Sequence, residues 1–361
     1  EPLLPRAAAA NADVCETLRL VVDELVSRVA LPLQDAARFI PANNVVLILS
    51  KLKRRSSPGV DGVPYDGWRV LSDVGAFLDV ACCSLRHAFA RPSQNLSLLL
   101  DSRVCLLPKT AAPLAADFRP ISLLSSSYKI LEMALWKSLM TDASRRRAEW
   151  PDRRSVGADS PLWSVSQAGF VEHRSCAQQA FALQRCRELA RARNEPLFAM
   201  FLDLKKAYDS VPVARLMRLI VEKGRVDARL VPVLWASLNN HRRLLDLPDC
   251  ADGWLSVNRG LPQGAVAAPF LFNIFIDSLS DVLADAVRVN NVGLCALHSS
   301  CSTSHLLYAD DTALLSRSWS DMRVLLAACE RWAADTDMSF AASKSFAMIL
   351  ELPRGASQAA Q

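Results

Sequence analysis

The sequence predicts a mixed fold of amphipathic helices and short strands paired in hairpins, and two observations carry that expectation. Apolar residues recur at three- and four-residue spacing over 14–30, about 128–141, 176–193, 212–223, 228–240, 267–285 and 319–334, the period of helices with one buried face. Between them lie short apolar runs bounded by turn residues, as buried strands require: Val104 to Leu107, Ile121 to Leu124, Phe198 to Leu202, and Leu306-Leu307 followed closely by Ala313-Leu314-Leu315. Composition agrees with a globular chain, with 51% hydrophobic and 22% charged residues among 361. No uninterrupted apolar run approaches the roughly 20 residues of a membrane span, so no membrane partner is expected. This length supports a sizeable core and two or three subdomains.

At the N-terminus, Glu1-Pro2-Leu3-Leu4-Pro5-Arg6 lacks the charged start and apolar core of a signal peptide, and the chain begins without Met. It reads as a piece of a longer protein. The helix over 14–30 ends at Pro32, which makes 1–44 an N-terminal helical extension. Next come Lys51, Lys53, Arg54 and Arg55, a basic flank leading into a rigid loop with a Pro58-Gly59 and an Asp61-Gly62 turn. A net charge of +5 permits a polyanionic partner without demanding one, so such local clusters weigh more than the total. Arg54 and Arg55 are candidates for contact with the phosphate backbone of a template or primer.

The runs around Val104 and Ile121 predict a hairpin with Lys109 on one arm and Arg119 on the other. Two cations on one side of a hairpin suit a triphosphate, Arg as a planar fork and Lys as a point charge. The basic, aperiodic stretch 142–164 reads as a long loop. Further on, Phe198 to Leu202 predicts a buried strand that ends in Asp203. An acid at such a strand end faces a cleft, because an unpaired buried carboxylate is too costly. Two more acids, Asp310 and Asp311, follow Tyr308-Ala309 at the tip of the hairpin formed by the Leu306 and Ala313 runs. Carboxylates held together repel unless a cation sits between them, and hard oxygen donors suit Mg²⁺.

Ten cysteines include no Cys-x-x-Cys pair, which points to reduced thiols in an intracellular protein. Cys295, His298, Cys301 and His305 offer four zinc-capable side chains, but their spacing fits no common zinc module. A Ser/Cys-rich surface loop is the expectation there.

In order along the chain stand Ser57-Pro58-Gly59-Val60-Asp61-Gly62, Pro108-Lys109, Phe118-Arg119-Pro120-Ile121-Ser122-Leu123 and Gln167-Ala168-Gly169-Phe170. Then come Phe201-Leu202-Asp203-Leu204-Lys205-Lys206-Ala207-Tyr208-Asp209-Ser210-Val211, Leu261-Pro262-Gln263-Gly264, Tyr308-Ala309-Asp310-Asp311 and Lys344. This ordered set, from about Lys51 to Leu350, resembles the reverse transcriptase domain of non-LTR (LINE-type) retrotransposons. The group II intron and telomerase-type enzymes are the nearest alternatives in the same class. A non-catalytic nucleic-acid-binding remnant is the alternative from another class.

The resemblance implies an α+β, right-hand polymerase fold with an antiparallel palm sheet. Fingers would occupy 45–195 and 211–262, the palm 196–210 and 263–350, and a tail 351–361, with a thumb expected to be missing. It further implies RNA-directed DNA polymerase activity, with an RNA template, a DNA primer or target DNA, and dNTPs as partners, inside the cell and in the nucleus. Asp203, Asp310 and Asp311, with the backbone carbonyl of Leu204, would hold two Mg²⁺ ions, or Mn²⁺ in their place. Lys109, Arg119, Tyr208, Gln263, Gly264 and Lys344 would contact the nucleotide, Tyr208 as the steric gate against a ribose 2′-hydroxyl. Tyr308 would join Arg54 and Arg55 at the template and primer. One departure bears on Lys344: the family commonly has Asn three residues earlier, where Ala341 stands here.

Overall fold

A computed structural model describes residues 33–71, 75–91, 99–111, 118–136, 164–171, 173–222, 226, 228–239, 241–245, 253–257, 259–298 and 301–354. The expected helix over 14–30 and most of the basic stretch 142–164 lie outside these residues. The helices are α1 (Leu33–Phe39), α2 (Ala42–Lys51), α3 (Tyr65–Leu71), α4 (Gly75–Ala90), α5 (126–136), α6 (Cys176–Ala192), α7 (Ala207–Ser210), α8 (Val213–Glu222), α9 (Val231–Asn239), α10 (Ala268–Asn290) and α11 (Trp319–Asp335). The strands are β1 (Ser102–Pro108), β2 (Phe118–Leu124), β3 (Leu197–Leu202), β4 (His241–Leu245), β5 (Trp254–Val257), β6 (Cys295–His298), β7 (Cys301–Thr303), β8 (His305–Tyr308), β9 (Asp311–Ser316) and β10 (Phe346–Glu351). The chain divides into two compact units, one of 1–150 with 212–268 and one of 151–211 with 269–361.

The first unit is built on a four-stranded sheet in the order β2-β1-β4-β5. β1 and β2 form the expected antiparallel hairpin, with Leu107 opposite Arg119. Two further strands complete the sheet: β4 runs parallel to β1, and β5 pairs antiparallel with β4. The cationic start of β4 hid it from pattern reading. Arg242 gains its order from partners, an ion pair with Asp101 and a place 5.0 Å over the Trp254 ring. The loop 58–62 is rigid, as expected. Asp61 accepts hydrogen bonds from both the backbone N–H and the hydroxyl of Ser126, and a Cβ on Gly59 would lie 2.4 Å from the Leu124 carbonyl oxygen.

The second unit carries an antiparallel sheet in the order β10-β3-β9-β8. Alternation along the strands gives it two buried faces. On one, α6 covers Ala199, Leu306 and Leu315 through Cys186 and Ala190. On the other, Phe198 meets Trp319 of α11, and Trp332 of α11 packs edge-on against Phe275 of α10. A capping box starts α6, with Ser175 and Gln178 bonding each other's backbone N–H. β6 and β7 form a small hairpin where a surface loop was expected, and Cys295 is buried beside Cys186. His305 is buried too, its ring nitrogens 3.1 Å from the Ser280 and Ser304 hydroxyls, and burial lowers its pKa to about 4. The side chains of His298 and Cys301 lie outside the described residues. Among the described residues no group of three His, Cys, Asp or Glu side chains forms a ready-made metal site.

Candidate active site

The site of the second unit begins with strand register. β3 pairs with β9 so that Leu202 faces Thr312, and one step further brings Asp203 level with Asp311. β8 pairs with β9 so that Tyr308 faces Asp311 across a turn made by Ala309 and Asp310. Since side chains alternate along strands, Asp203, Asp311 and Tyr308 project from one face. Like charges directly opposed on a sheet are destabilising, and the effect is visible. Burial, and after it the charge of Asp203, hold the Asp311 carboxyl above its usual pKa.

A cation meets that charge. Lys344 places its Nζ 3.3 Å from Asp203 Oδ2, an oxygen that is itself buried and accepts no hydrogen bond. The 3.3 Å contact is an ion pair whose geometry does not make a hydrogen bond. A short strap delivers this lysine. The Ala341 N–H donates to the Asp203 carbonyl at 2.7 Å, the Asp203 N–H donates to Ser345 Oγ at 3.3 Å, and that hydroxyl donates back to the Ala341 carbonyl at 2.9 Å. Ala341 thus ties the strap through its backbone, which a residue in place of the usual Asn can still do. Ser345 was not singled out in the sequence, where a lone serine carries no signal.

Just beyond Asp203, Leu204 pairs with Phe340 in a single antiparallel bridge, closed by the Asp203 carbonyl and the Lys205 N–H. In that kind of pair the central residue turns its own carbonyl away from its partner. The Leu204 carbonyl therefore does not spend itself on residue 340. Around these groups lies a recess of about 440 Å³ whose lining includes Phe201, Asp203, Tyr308, Asp311, Lys344 and Leu183.

Tyr208 follows on the one-turn helix α7. Its ring stacks on Phe272 at 4.7 Å and 18°, and its hydroxyl is buried with no hydrogen-bond partner. Burial first, then the charge of Asp310, raises its pKa.

The remaining sequence candidates belong to the first unit. Arg119 sits exposed on β2, and Lys109 follows the end of β1 two residues after Leu107, which faces Arg119. Gln263 accepts the Ser122 N–H at 2.7 Å through its backbone carbonyl, docking the Pro262-Gln263-Gly264 loop on β2. Gly264 has φ +118°, and a Cβ there would lie 2.6 Å from the Ser122 carbonyl oxygen, so this position requires glycine. Glu132 of α5 holds the chain just after the loop, accepting the Val266 N–H at 2.9 Å, and burial raises its pKa to about 7. Arg54 and Arg55 are exposed, and Arg55 has a left-handed backbone (φ 56°) fixed by its N–H to Asp66.

A strand-end acid thus lies level with an acid-bearing hairpin in a unit of helices on an antiparallel sheet. The family profile described as Reverse transcriptase (RNA-dependent DNA polymerase) matches residues 107–358, well over half the chain. The chain belongs to the reverse transcriptase family. Its relatives include the Pol polyprotein of retrotransposable element R2 from Nasonia vitripennis, 25% identical over 77% of this chain and 24% of that protein. The RNA-directed DNA polymerase of mobile element jockey from Drosophila funebris is 26% identical over 84% of this chain and 32% of its own length. The probable RNA-directed DNA polymerase of transposon BS from Drosophila melanogaster is 27% identical over 86% and 32%. These agree with the non-LTR retrotransposon resemblance of the motifs. The chain spans about a quarter to a third of the curated relatives it matches. Among solved structures, a telomerase from Candida albicans aligns at 12% identity with a TM-score of 0.48, over 72% of this chain and 42% of that one. The family works on nucleic acid templates and primers and uses divalent metal ions. Among the described residues, no helix is long and apolar enough to cross a membrane.

Proposed function

We propose that this chain is the catalytic part of an RNA-directed DNA polymerase of a non-LTR retrotransposon, adding dNTPs to a primer 3′-hydroxyl on an RNA template. The observation that carries the proposal is Asp203 brought level with Asp311 by strand register, with the Asp203 oxygen left without a hydrogen-bond donor and a lysine ammonium beside it. Burial first, and then the charge of Asp203, disfavours the ionised Asp311 carboxyl, and a cation at the site would relieve both. Asp203, Asp310 and Asp311 present hard oxygen donors, and the outward Leu204 carbonyl adds another, which fits Mg²⁺ or Mn²⁺. Bound there, two such ions would supply charge neutralisation at the attacking hydroxyl and at the leaving pyrophosphate.

The protein's own share is positioning and electrostatics, since phosphoryl transfer leaves little covalent work to side chains. Lys109 and Arg119 take the triphosphate. Gly264 lets backbone approach the nucleotide closely, with Gln263 beside it, and Tyr208 stands under the sugar as the gate. Lys344 neutralises Asp203 and is placed to lend a proton to the departing pyrophosphate. Arg54, Arg55 and Tyr308 contact template and primer. The fingers are assigned to 45–195 with 211–262 and the palm to 196–210 with 263–350; that β3, β8 and β9 fall in one compact unit supports the palm assignment. The cellular substrate is retrotransposon RNA copied at target DNA in the nucleus. Primer extension on an RNA template tests the proposal: Mg²⁺-dependent dNTP incorporation is the expected result, and its absence in an otherwise folded chain that binds primer–template opposes it.

A further inference from the structure

The turn that carries Asp310 and Asp311 is held from outside by a residue with no assigned role. Ala309, at its apex, has a left-handed backbone with φ 55°, a conformation that any residue with a Cβ disfavours. Gln167 grips it. Gln167 Oε1 accepts the Ala309 N–H at 2.9 Å and Nε2 donates to the Ala309 carbonyl at 3.2 Å, so one side chain satisfies both backbone groups of the strained residue. The same Oε1 accepts the Gly169 N–H at 2.7 Å. With two N–H groups on one amide atom and a carbonyl on the other, the amide has only one orientation that bonds all three. Gln167 is fully buried, so these groups have no water to turn to.

The gripping segment is itself fixed. Ser166 and Ala168 pair with Leu307 of β8, at 2.8 and 3.0 Å, in a short parallel bridge. Gln179 of α6 donates to the carbonyls of Ser166 and Leu307, at 2.8 and 3.0 Å. From α10, Asn273 donates to the Gly169 carbonyl at 2.8 Å, and Asp277 accepts the Ser164 N–H. A Cβ on Gly169 would lie 2.1 Å from the Ala309 nitrogen, so the turn and this segment touch backbone to backbone.

We infer that Gln167 is a positioning residue for polymerisation: acting through Ala309, it holds the left-handed turn that aims Asp310 and Asp311, and Gly169 is the space that lets it do so. The catalytic consequence rests on the polymerase function proposed above; the structural one does not. Glutamate at 167 keeps an acceptor for both N–H groups, but sets an oxygen in place of the donor against the Ala309 carbonyl and, when ionised, adds a buried charge next to the Asp310-Asp311 turn. Leucine loses all three bonds at similar volume.

The experiment uses the full chain with Gln167→Leu, Gln167→Glu and Gly169→Ala, beside Asp310→Asn. Hydrogen exchange of a peptide spanning 305–312 reads the turn directly. Gln167→Leu should speed exchange at Ala309 about tenfold or more while peptides from β3 and β10 keep their protection. In primer extension, kcat should fall about 100-fold, the scale of a misplacement near 1 Å, with KM for primer–template little changed. A purely structural loss would instead remove active protein without altering kcat per folded molecule. Gln167→Glu, which retains the acceptor, should keep more of the exchange protection than Gln167→Leu but less than wild type, and Gly169→Ala should reproduce the leucine variant by a steric route. Unchanged exchange at Ala309 in Gln167→Leu overturns the inference, as does raised exchange with full kcat. Should the wild-type chain be inactive, or Asp310→Asn remain active, the polymerase function fails, and the exchange result still decides whether Gln167 holds the turn.

Discussion

Replacing Tyr208 separately by Phe and by Val tests two properties of one ring. The hydroxyl is buried without a partner, while the ring stacks on Phe272 at 4.7 Å. A buried, unsatisfied polar group costs about 1–3 kcal/mol, so Tyr208→Phe should stabilise the second unit, by about 1 kcal/mol for a residue that is only half-buried overall. Tyr208→Val loses the stacking, worth about 1 kcal/mol, and opens space where a large aromatic stood. Full burial would make that about 3–5 kcal/mol, and half-burial brings the expected loss to about 2–3 kcal/mol. Denaturant midpoints measure both changes. The same variants report on the gate: the valine should raise ribonucleotide use relative to dNTP use in primer extension, and the phenylalanine should not. Destabilisation by Tyr208→Phe would mean that the hydroxyl has a partner in the folded state. A ratio unmoved by valine would make Tyr208 a core residue and not a gate.

Two further outcomes concern the first unit. Glu132 has its pKa raised from 4.5 to about 7, so the folded state holds its proton more tightly than the unfolded chain. The stabilisation is fully present below about pH 4.5 and is lost as pH rises to about 7, a change of about 3 kcal/mol. Glu132→Gln keeps an acceptor for the Val266 N–H, and its melting temperature should lack that decline across the window. Gly264→Ala meets both a φ of +118° and the Ser122 carbonyl oxygen at 2.6 Å. It should cost at least about 2 kcal/mol in denaturant unfolding, and raise KM for dNTP if the loop lines the nucleotide site.

What the sequence made legible was whatever is local. The apolar run Phe198 to Leu202 ending in an acid, the Leu306 to Leu315 hairpin, and the Lys109 and Arg119 arms each carry their signal within a few residues, and the structure forms each element near its expected bounds. β4 was not legible, because His241, Arg242 and Arg243 break the apolar alternation and its pairing with β1 is parallel and remote in sequence. The β6–β7 hairpin was missed because short Ser- and Cys-rich strands have weak propensity. Within the site, the acids stood out by chemistry, but the strap through Ala341 and Ser345 works by backbone bonds that any residue type can supply. Gln167 was visible as part of a motif, and its grip on Ala309, 142 residues away in sequence, was not.

The most direct measurement of the central claim is Mg²⁺-dependent dNTP incorporation on an RNA template by the chain carrying Asp310→Asn or Asp311→Asn, alongside primer–template binding by the same proteins. Incorporation should fall by at least about 1,000-fold, since removing charge stabilisation at a transferring phosphoryl group costs several kcal/mol of barrier. Binding should stay within a few-fold of wild type. Synthesis that persists at a comparable rate in either variant would contradict the assignment of this three-acid site.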